Sequence, residues 1–530
     1  MWVLFIYRTP SYQLLKSILT PDLHREKERV PIRVWLVRIA LIVALMVLTS
    51  TATSESVIVE KAVRLQSPFY FDSSNKAEPY DVVTFDVSEY SSMTEMVRVV
   101  LTEFPLTADS SVDLDLEQFN VTTHSTVLVG KSGNKTFDVA SLELTLWRGT
   151  VVGQPGSTVF LAISPYMIKG YIRVDGKTTS IGSIRDKTRS NECLLLDAGM
   201  EDPIFDMASD MVGTPQALES ALTPSAGEFK IADLAIETDS LFSKMFVEVE
   251  DPDRSAAAYV IALTGAVSQI YERDLQTKLV ISWMRIWPCV NPTSIGPYPY
   301  SSLLVLDEFA TYWAGHMRNI SRTLAVCMQG DVNPTEHDCG GQGRVDGLCS
   351  LDNGFCSFGL GDCYFEPVPR VGAGDYGIAD IWVFAHESGH VFGSGHTHCY
   401  SPPIDSCAAE DGCYSGVPHH TPGTIMSYCL PLSDMNLAFH SRCITRMRQS
   451  VDAASCMRIA RNPVYVDKSN TGSEDGTLDH PYNSIIEGVE TVIPGGDVMI
   501  RPGTYDEQRV VPYLCVLKRW GTLGSVVIGQ

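Results

Sequence analysis

The stretch that decides the fold of this chain is His386-Glu387-Ser388-Gly389-His390-Val391-Phe392-Gly393-Ser394-Gly395-His396. It follows a run from Ile378 in which Ile381, Trp382 and Ala385 form an apolar stripe at helical spacing. Residues four apart stack on one face of a helix, so His386 and His390 can offer two imidazoles to one ion. Gly393 and Gly395 supply the left-handed conformations that end a helix, so that the chain turns back and brings His396 to the same ion. Three neutral nitrogens leave one coordination position open, the donor arrangement of catalytic rather than structural zinc. Glu387, beside the first imidazole, can reach a water in that position, take its proton as general base and pass it to a leaving amine. A helical His pair alone is as readily a hydrogen-bonded core pair. The five fixed positions of the longer pattern arise by chance in only roughly a few of 10⁵ such chains.

Downstream lies Thr424-Ile425-Met426-Ser427-Tyr428. Together the two stretches resemble the metzincin metallopeptidases, with the signature H-E-x-x-H-x-x-G-x-x-H and the Met-turn that accompanies it. The resemblance implies one catalytic zinc ion held by His386, His390 and His396, Glu387 as the catalytic carboxylate, and Met426 as an apolar floor beneath the metal. It also implies an α/β (α+β) catalytic domain with a twisted mixed sheet and an active-site helix. Its substrate would be a protein or peptide lying extended along a cleft and pairing with an edge strand. Tyr428 stands where astacin-like and serralysin-like members place a tyrosine near the metal. Cys399, Cys407, Cys413 and Cys429 look like the reprolysin (adamalysin) branch. Thr397 departs from that branch, which usually carries Asp after the third histidine, and no disintegrin-like cysteine module follows. Gametolysin-like and other metzincin families stay open. The resemblance spans roughly residues 229–456. The remaining histidines, His398, His419, His420 and His440, read as loop residues or as supports for the trio.

The organisation outward from this centre has four parts: 1–54, 57–225, 226–460 and 461–530. Between 57 and 225 the segments Leu142–Trp147, Thr150–Val152, Thr158–Ile163 and Gly170–Val174 read as strands. This β-rich part resembles a reprolysin-type propeptide, notably at Trp147-Arg148-Gly149-Thr150-Val151-Val152-Gly153, and such a domain would block the cleft until cleaved. Cys193, its only cysteine, either offers a thiolate to the fourth zinc position or stays free or differently paired. From 226 to 460 helices at Asp251–Asp274 and Leu303–Met317 alternate with strands at Lys278–Trp287 and Arg322–Met328, an α/β layer arrangement. The last part, with Val464-Tyr465-Val466-Asp467, Pro494-Gly495-Gly496-Asp497 and Arg501-Pro502-Gly503-Thr504-Tyr505, resembles the opening of a pectin-lyase-like parallel β-helix.

Composition narrows the setting. With 63 acidic against 40 basic residues the formal charge is −23, which repels phosphate backbones and argues against a nucleic-acid partner. Of fourteen cysteines, twelve lie between Cys289 and Cys456, a dense cluster without C-x-x-C pairs that reads as a disulfide framework in an oxidising compartment. Ile39–Leu48 is an unbroken apolar run after Arg33 and Arg38. It is too short for a spanning helix and is read as the core of a signal peptide in residues 1–54, with membrane contact only if it is an uncleaved anchor. Sequons at Asn120, Asn134 and Asn319 agree with secretion. A second reading, an extracellular adhesion or glycan-binding protein with a vestigial metal site, is opposed by the intact Glu387, which a structural site would not use.

Overall fold

The computed structural model describes residues 62–71, 81–94, 96–129, 136–183, 191–197, 204–205, 211–212, 227–244, 246, 251–287, 305–328, 338–339, 341–350, 357–360, 378–410, 413–429, 435–507, 515–521 and 524–529. The signal-peptide expectation for 1–54 and the sequon at Asn134 lie outside them. No helix among the described residues is long and apolar enough to cross a membrane.

The first sheet has ten strands, mostly joined by antiparallel hairpins, of which Thr145–Val151, Gln154–Ser164, Met167–Val174 and Lys177–Ser183 form the middle. Successive side chains on a strand point to opposite faces. In Gln154–Ser164, Val159, Leu161 and Ile163 enter one apolar core with Trp147, Ile172 and Ile181. Phe160 and Ala162 point the other way, into a different core with Leu146, Met167 and Tyr171. Both faces are therefore buried, which is why this strand reads as an unbroken apolar run instead of alternating.

The second sheet carries the centre. Its strand order is Met211–Val212, Gln342–Arg344, Ser357–Leu360, Leu324–Met328, Lys230–Thr238, Thr277–Arg285, Thr122–Val129 and Thr136–Phe137, with Arg458–Ile459 pairing beside Lys230–Thr238. The inner strands are parallel, and Gln342–Arg344 runs antiparallel to its neighbour Ser357–Leu360. Predicted helices and strands recur at Pro252–Leu275, Thr277–Arg285, Val305–His316 and Leu324–Met328.

Pro252–Leu275 begins where the Asp251 carboxylate caps the Arg254 amide, with Pro252 at a position that needs no donor. The sequence predicts one apolar face on this helix. Instead every residue from Ser255 to Ser268 is buried, because the first sheet covers the side turned away from the second. Ala256, Ala257, Ala258, Ala262, Gly265 and Ala266 are the small residues that let two sheets approach one helix.

The two sheets share strands and core across 225/226. Strands Thr122–Val129 and Thr136–Phe137 belong by sequence to the first region, yet they extend the second sheet. Phe119, Leu146, Phe160 and Tyr171 share one core with Tyr259, Ile270, Ile381 and Phe384. Val57–Gln530 is a single compact unit.

The tail stacks Val464–Val466, Asp497–Ile500 and Val516–Arg519 in parallel, and Gly503–Tyr505 with Val526–Ile528, around Val464, Val466, Val489, Val498 and Ile500. It is tied back by Glu490, which accepts from the backbone N–H (2.6 Å) and pairs with the Nδ1 (2.9 Å) of His124.

Disulfides join Cys349 to Cys456, Cys399 to Cys413 and Cys407 to Cys429. These bonds agree with the disulfide framework read from the sequence. Cys327 and Cys443 are free and buried, their side chains filling the apolar packing of a strand and a helix. Burial raises both thiols, that of Cys443 to about 11.

Candidate metal centre

The helix Ala379–Val391 is buried along its whole length. Its first turn is anchored by Asp380, whose Oδ1 accepts the Ile381 amide, whose carboxylate receives the Tyr259 hydroxyl, and which pairs with Lys169 at 2.8 Å. Immediately before His386, the Tyr271 hydroxyl donates to the Ala385 carbonyl at 3.0 Å. Two elements outside the motif thus fix the axial position of the helix.

The helix stops at Phe392. Gly393 follows at φ 100°, and its amide reaches the His390 carbonyl at 2.8 Å while the Ser394 amide reaches Gly389 at 2.9 Å. A side chain at Gly393 would strike Asp346 Oδ1 at 2.4 Å, so glycine is required by space as well as by backbone conformation. Gly395, expected to share this turn, is not left-handed. One glycine suffices to send the chain back.

The turn brings the three histidines together. Ring centroids of His386 and His390 lie 4.8 Å apart, His390 and His396 4.8 Å, and His386 and His396 5.3 Å. One ring nitrogen of each lies within 4.8 Å of the others, and exposure is 1% or less. Each Nδ1 has its own acceptor: Ile425 O for His386 (2.6 Å), Ser394 O for His390 (2.9 Å) and Glu410 Oε2 for His396 (2.8 Å). A carbonyl only accepts, so Nδ1 carries the proton and Nε2 is the unprotonated nitrogen. Orienting each ring through its other nitrogen is what metal-ligating histidines require. The donor set therefore fits a metal ion.

Met426 is fully buried, and its Sδ lies 2.5 Å from where a Gly389 side chain would begin, against the helix next to His390. The turn is latched to the third histidine: the Thr397 amide and hydroxyl both donate to the Met426 carbonyl, at 2.9 and 3.1 Å. Tyr428 stacks on His386 and lies 4.5 Å from the His396 ring, centroid to centroid. Glu387 is 2% exposed. Above it a side chain on Gly341 would lie 2.4 Å from Glu387 Cγ, and one on Gly343 would lie 2.7 Å from His390 Cβ. The strand Gln342–Arg344 is thus laid directly on the carboxylate.

Residues 230–439 match the family model Reprolysin_5, described as metallo-peptidase family M12. This segment is a metzincin-like metallopeptidase domain. The chain is also similar to the crystal structure of metalloproteinase-II from Bacteroides fragilis, at 10% identity and a TM-score of 0.40, covering 73% of this chain and 98% of that one. No curated protein matches the chain.

The metallopeptidase domain contains a residue that the motif does not announce. Glu410 accepts from both His396 Nδ1 and His398 Nε2, each at 2.8 Å, and these bonds push its carboxyl down to about 2. The sequence signal was present but indirect. Glu410 sits inside the loop closed by Cys399–Cys413, and closing that loop returns it to His396. Its carboxylate lies on the His396 ring, which Thr397 follows in place of an acidic residue. Glu410→Ala is expected to weaken metal binding about 10- to 100-fold, measured by competition against a chelator of known affinity. An unchanged affinity would show that His396 is oriented without it. His398 is therefore a support, as expected; His419 and His420 are exposed loop residues, and His440 caps the helix Ser441–Ala453.

Two further clusters near the domain could hold metal by proximity, one at Cys399 with Glu410 and one at Asp405 with Cys407 and Cys429. Their sulfurs are in disulfides, so neither offers a thiolate. Cys193 is likewise no zinc ligand in this arrangement. It is 1% exposed in the core of the first sheet, with its thiol pushed up to about 12 by burial.

Proposed function

We propose that this chain is an extracellular zinc endopeptidase in which His386, His390 and His396 hold one catalytic ion and Glu387 serves as general base and then general acid. One observation carries the reading: three buried imidazoles, each with Nδ1 committed to an acceptor, converge beside a buried carboxylate. Zinc bound there would polarise a peptide carbonyl and bring the pKa of a water down to about 7. Glu387 is placed to take a proton from the attacking water and return it to the departing amine. The main chain at Gly341 and Gly343 packs directly against Glu387. An extended peptide reaching Glu387 would lie along the edge of the second sheet and draw main-chain hydrogen bonds from it.

Three disulfides and an exposed sequon at Asn319 support an oxidising, secretory setting. Metal analysis of the full chain should find about one zinc, and a chelator should abolish cleavage of denatured casein until zinc is restored. His390→Ala should lose the ion altogether. A His390→Ala chain that keeps stoichiometric zinc would overturn the ligand set.

A further inference from the structure

The segment 341–346 meets the centre with its main chain. Gly341 and Gly343 lie on Glu387, and the Asp346 amide donates to the His390 carbonyl at 3.1 Å. Glu387 and His390 are about one turn apart on the same helix, so the segment runs along both. The two glycines have no side chains with which to grip, and one backbone bond to His390 holds little by itself.

Asp346 supplies the grip. Its Oδ1 accepts from the Ser450 hydroxyl at 2.8 Å, its Oδ2 pairs with Arg446, and Arg446 Nη1 donates to the same Ser450 oxygen at 2.7 Å. Three side chains thus close a ring of charge-assisted bonds between the segment and the helix Ser441–Ala453. Arg446 is 7% exposed, so solvent screens the pair little. Asp346 Oδ1, Ser450 Oγ and Arg446 Nη1 are also the atoms nearest to where a Gly393 side chain would begin. The return of the active-site helix at Gly393 therefore leaves the space that the ring fills. Three residues further on, the Cys349–Cys456 bond fastens the chain just beyond the end of the same helix.

Asp346 holds φ 59°, a left-handed conformation. Residues other than glycine keep such a conformation where their surroundings over-determine it, and these places cluster at functional sites. Glycine at 346 would make the turn without strain. The carboxylate is what glycine lacks.

We propose that Asp346 is a positioning residue of the peptidase. By gripping Arg446 and Ser450 it holds 341–346 against Glu387 and His390. It thereby fixes where the catalytic carboxylate stands relative to a peptide lying on Gln342–Arg344. Asp346 acts through Glu387 and not on the reacting atoms. The proposal rests on the peptidase reading above, and its test separates the two.

Asp346→Gly removes the carboxylate and relaxes the turn. Asp346→Asn keeps the shape of the side chain, tolerates the same backbone conformation and can still bond both partners. Ser450→Ala cuts the ring more gently from the other side, should Asp346→Gly fold poorly. In the full chain, hydrogen exchange by mass spectrometry at 341–346 should speed about tenfold in Asp346→Gly and stay native in Asp346→Asn. On an internally quenched peptide, Asp346→Gly should lose about tenfold in kcat, with KM and zinc content unchanged, since a misplacement of about 1 Å can cost up to about 10²-fold. Ser450→Ala should lose about threefold, and Asp346→Asn should stay within about twofold of the parent. A merely stabilising ring would lower the thermal midpoint and leave kcat per zinc-loaded molecule unchanged well below that midpoint. That result overturns the proposal, and so does unchanged exchange. Faster exchange in a chain whose parent hydrolyses no peptide upholds the grip on 341–346 and sinks the peptidase reading instead.

Discussion

Glu387→Gln should lower kcat/KM for a peptide substrate about 10³-fold while leaving the zinc content at one per chain. The magnitude follows from removing a general base whose contribution is typically 10²- to 10⁴-fold. The substitution is nearly isosteric, which matters here because the side chain lies under backbone. Gly341 and Gly343 leave no room for anything larger than the native group and would not collapse onto anything smaller without moving the strand. Gln fills the same space and keeps hydrogen-bonding capacity, but it has no affinity for the proton of an attacking water. None of the three imidazoles uses Glu387 as its Nδ1 acceptor, since those acceptors are Ile425, Ser394 and Glu410. Metal retention should therefore be unaffected, and the loss should fall in kcat. A variant with near-native kcat and full zinc would place the base elsewhere.

How much of this was legible beforehand depends on distance along the chain. The helix with its paired histidines and the return at Gly393 are local patterns, so they can be read from spacing, whereas the floor at Met426 came from the family resemblance. Glu410 was not read, because its relation to His396 exists only once Cys399 and Cys413 are joined. Gly341 and Gly343 were not read either: Gly-Gln-Gly looks like loop punctuation until the strand is seen lying on Glu387. Gly395 was over-read, because a second glycine at the end of a helix invites the same conformational argument as the first.

The burial of both faces of the first sheet was also signalled in the residues. A strand with one wet face alternates, yet Val159-Phe160-Leu161-Ala162-Ile163 does not, which already says that both faces are covered. The small residues of Pro252–Leu275 say the same of the helix. The second face of that sheet packs on Pro252–Leu275, which in turn packs on the active-site helix.

Lys169→Met tests that junction. Lys169 stands in the strand Met167–Val174, 5% exposed, and its ammonium meets Asp380 in the first turn of Ala379–Val391 at 2.8 Å. Removing one partner of a buried pair strands the other charge, at a cost of about 3–5 kcal/mol. Here the lower end is expected. Asp380 keeps the Tyr259 hydroxyl and the Ile381 amide, and it lies at a helix N-terminus, where the dipole favours a negative charge. Asp380→Asn added to Lys169→Met removes the stranded charge, with the Asn Oδ1 accepting the Ile381 amide and its NH2 donating to the Tyr259 hydroxyl, so the double variant should recover all but about 1 kcal/mol. Urea unfolding at neutral pH measures both, with proteolysis followed in the same samples. If the first sheet is a permanent support, Lys169→Met loses activity at the urea concentration where it loses structure, well below the parent. If that sheet is dispensable, unfolding of Ala379–Val391 and loss of activity stay at the parental midpoint in the single variant, and the buried pair contributes nothing to holding Glu387 in place.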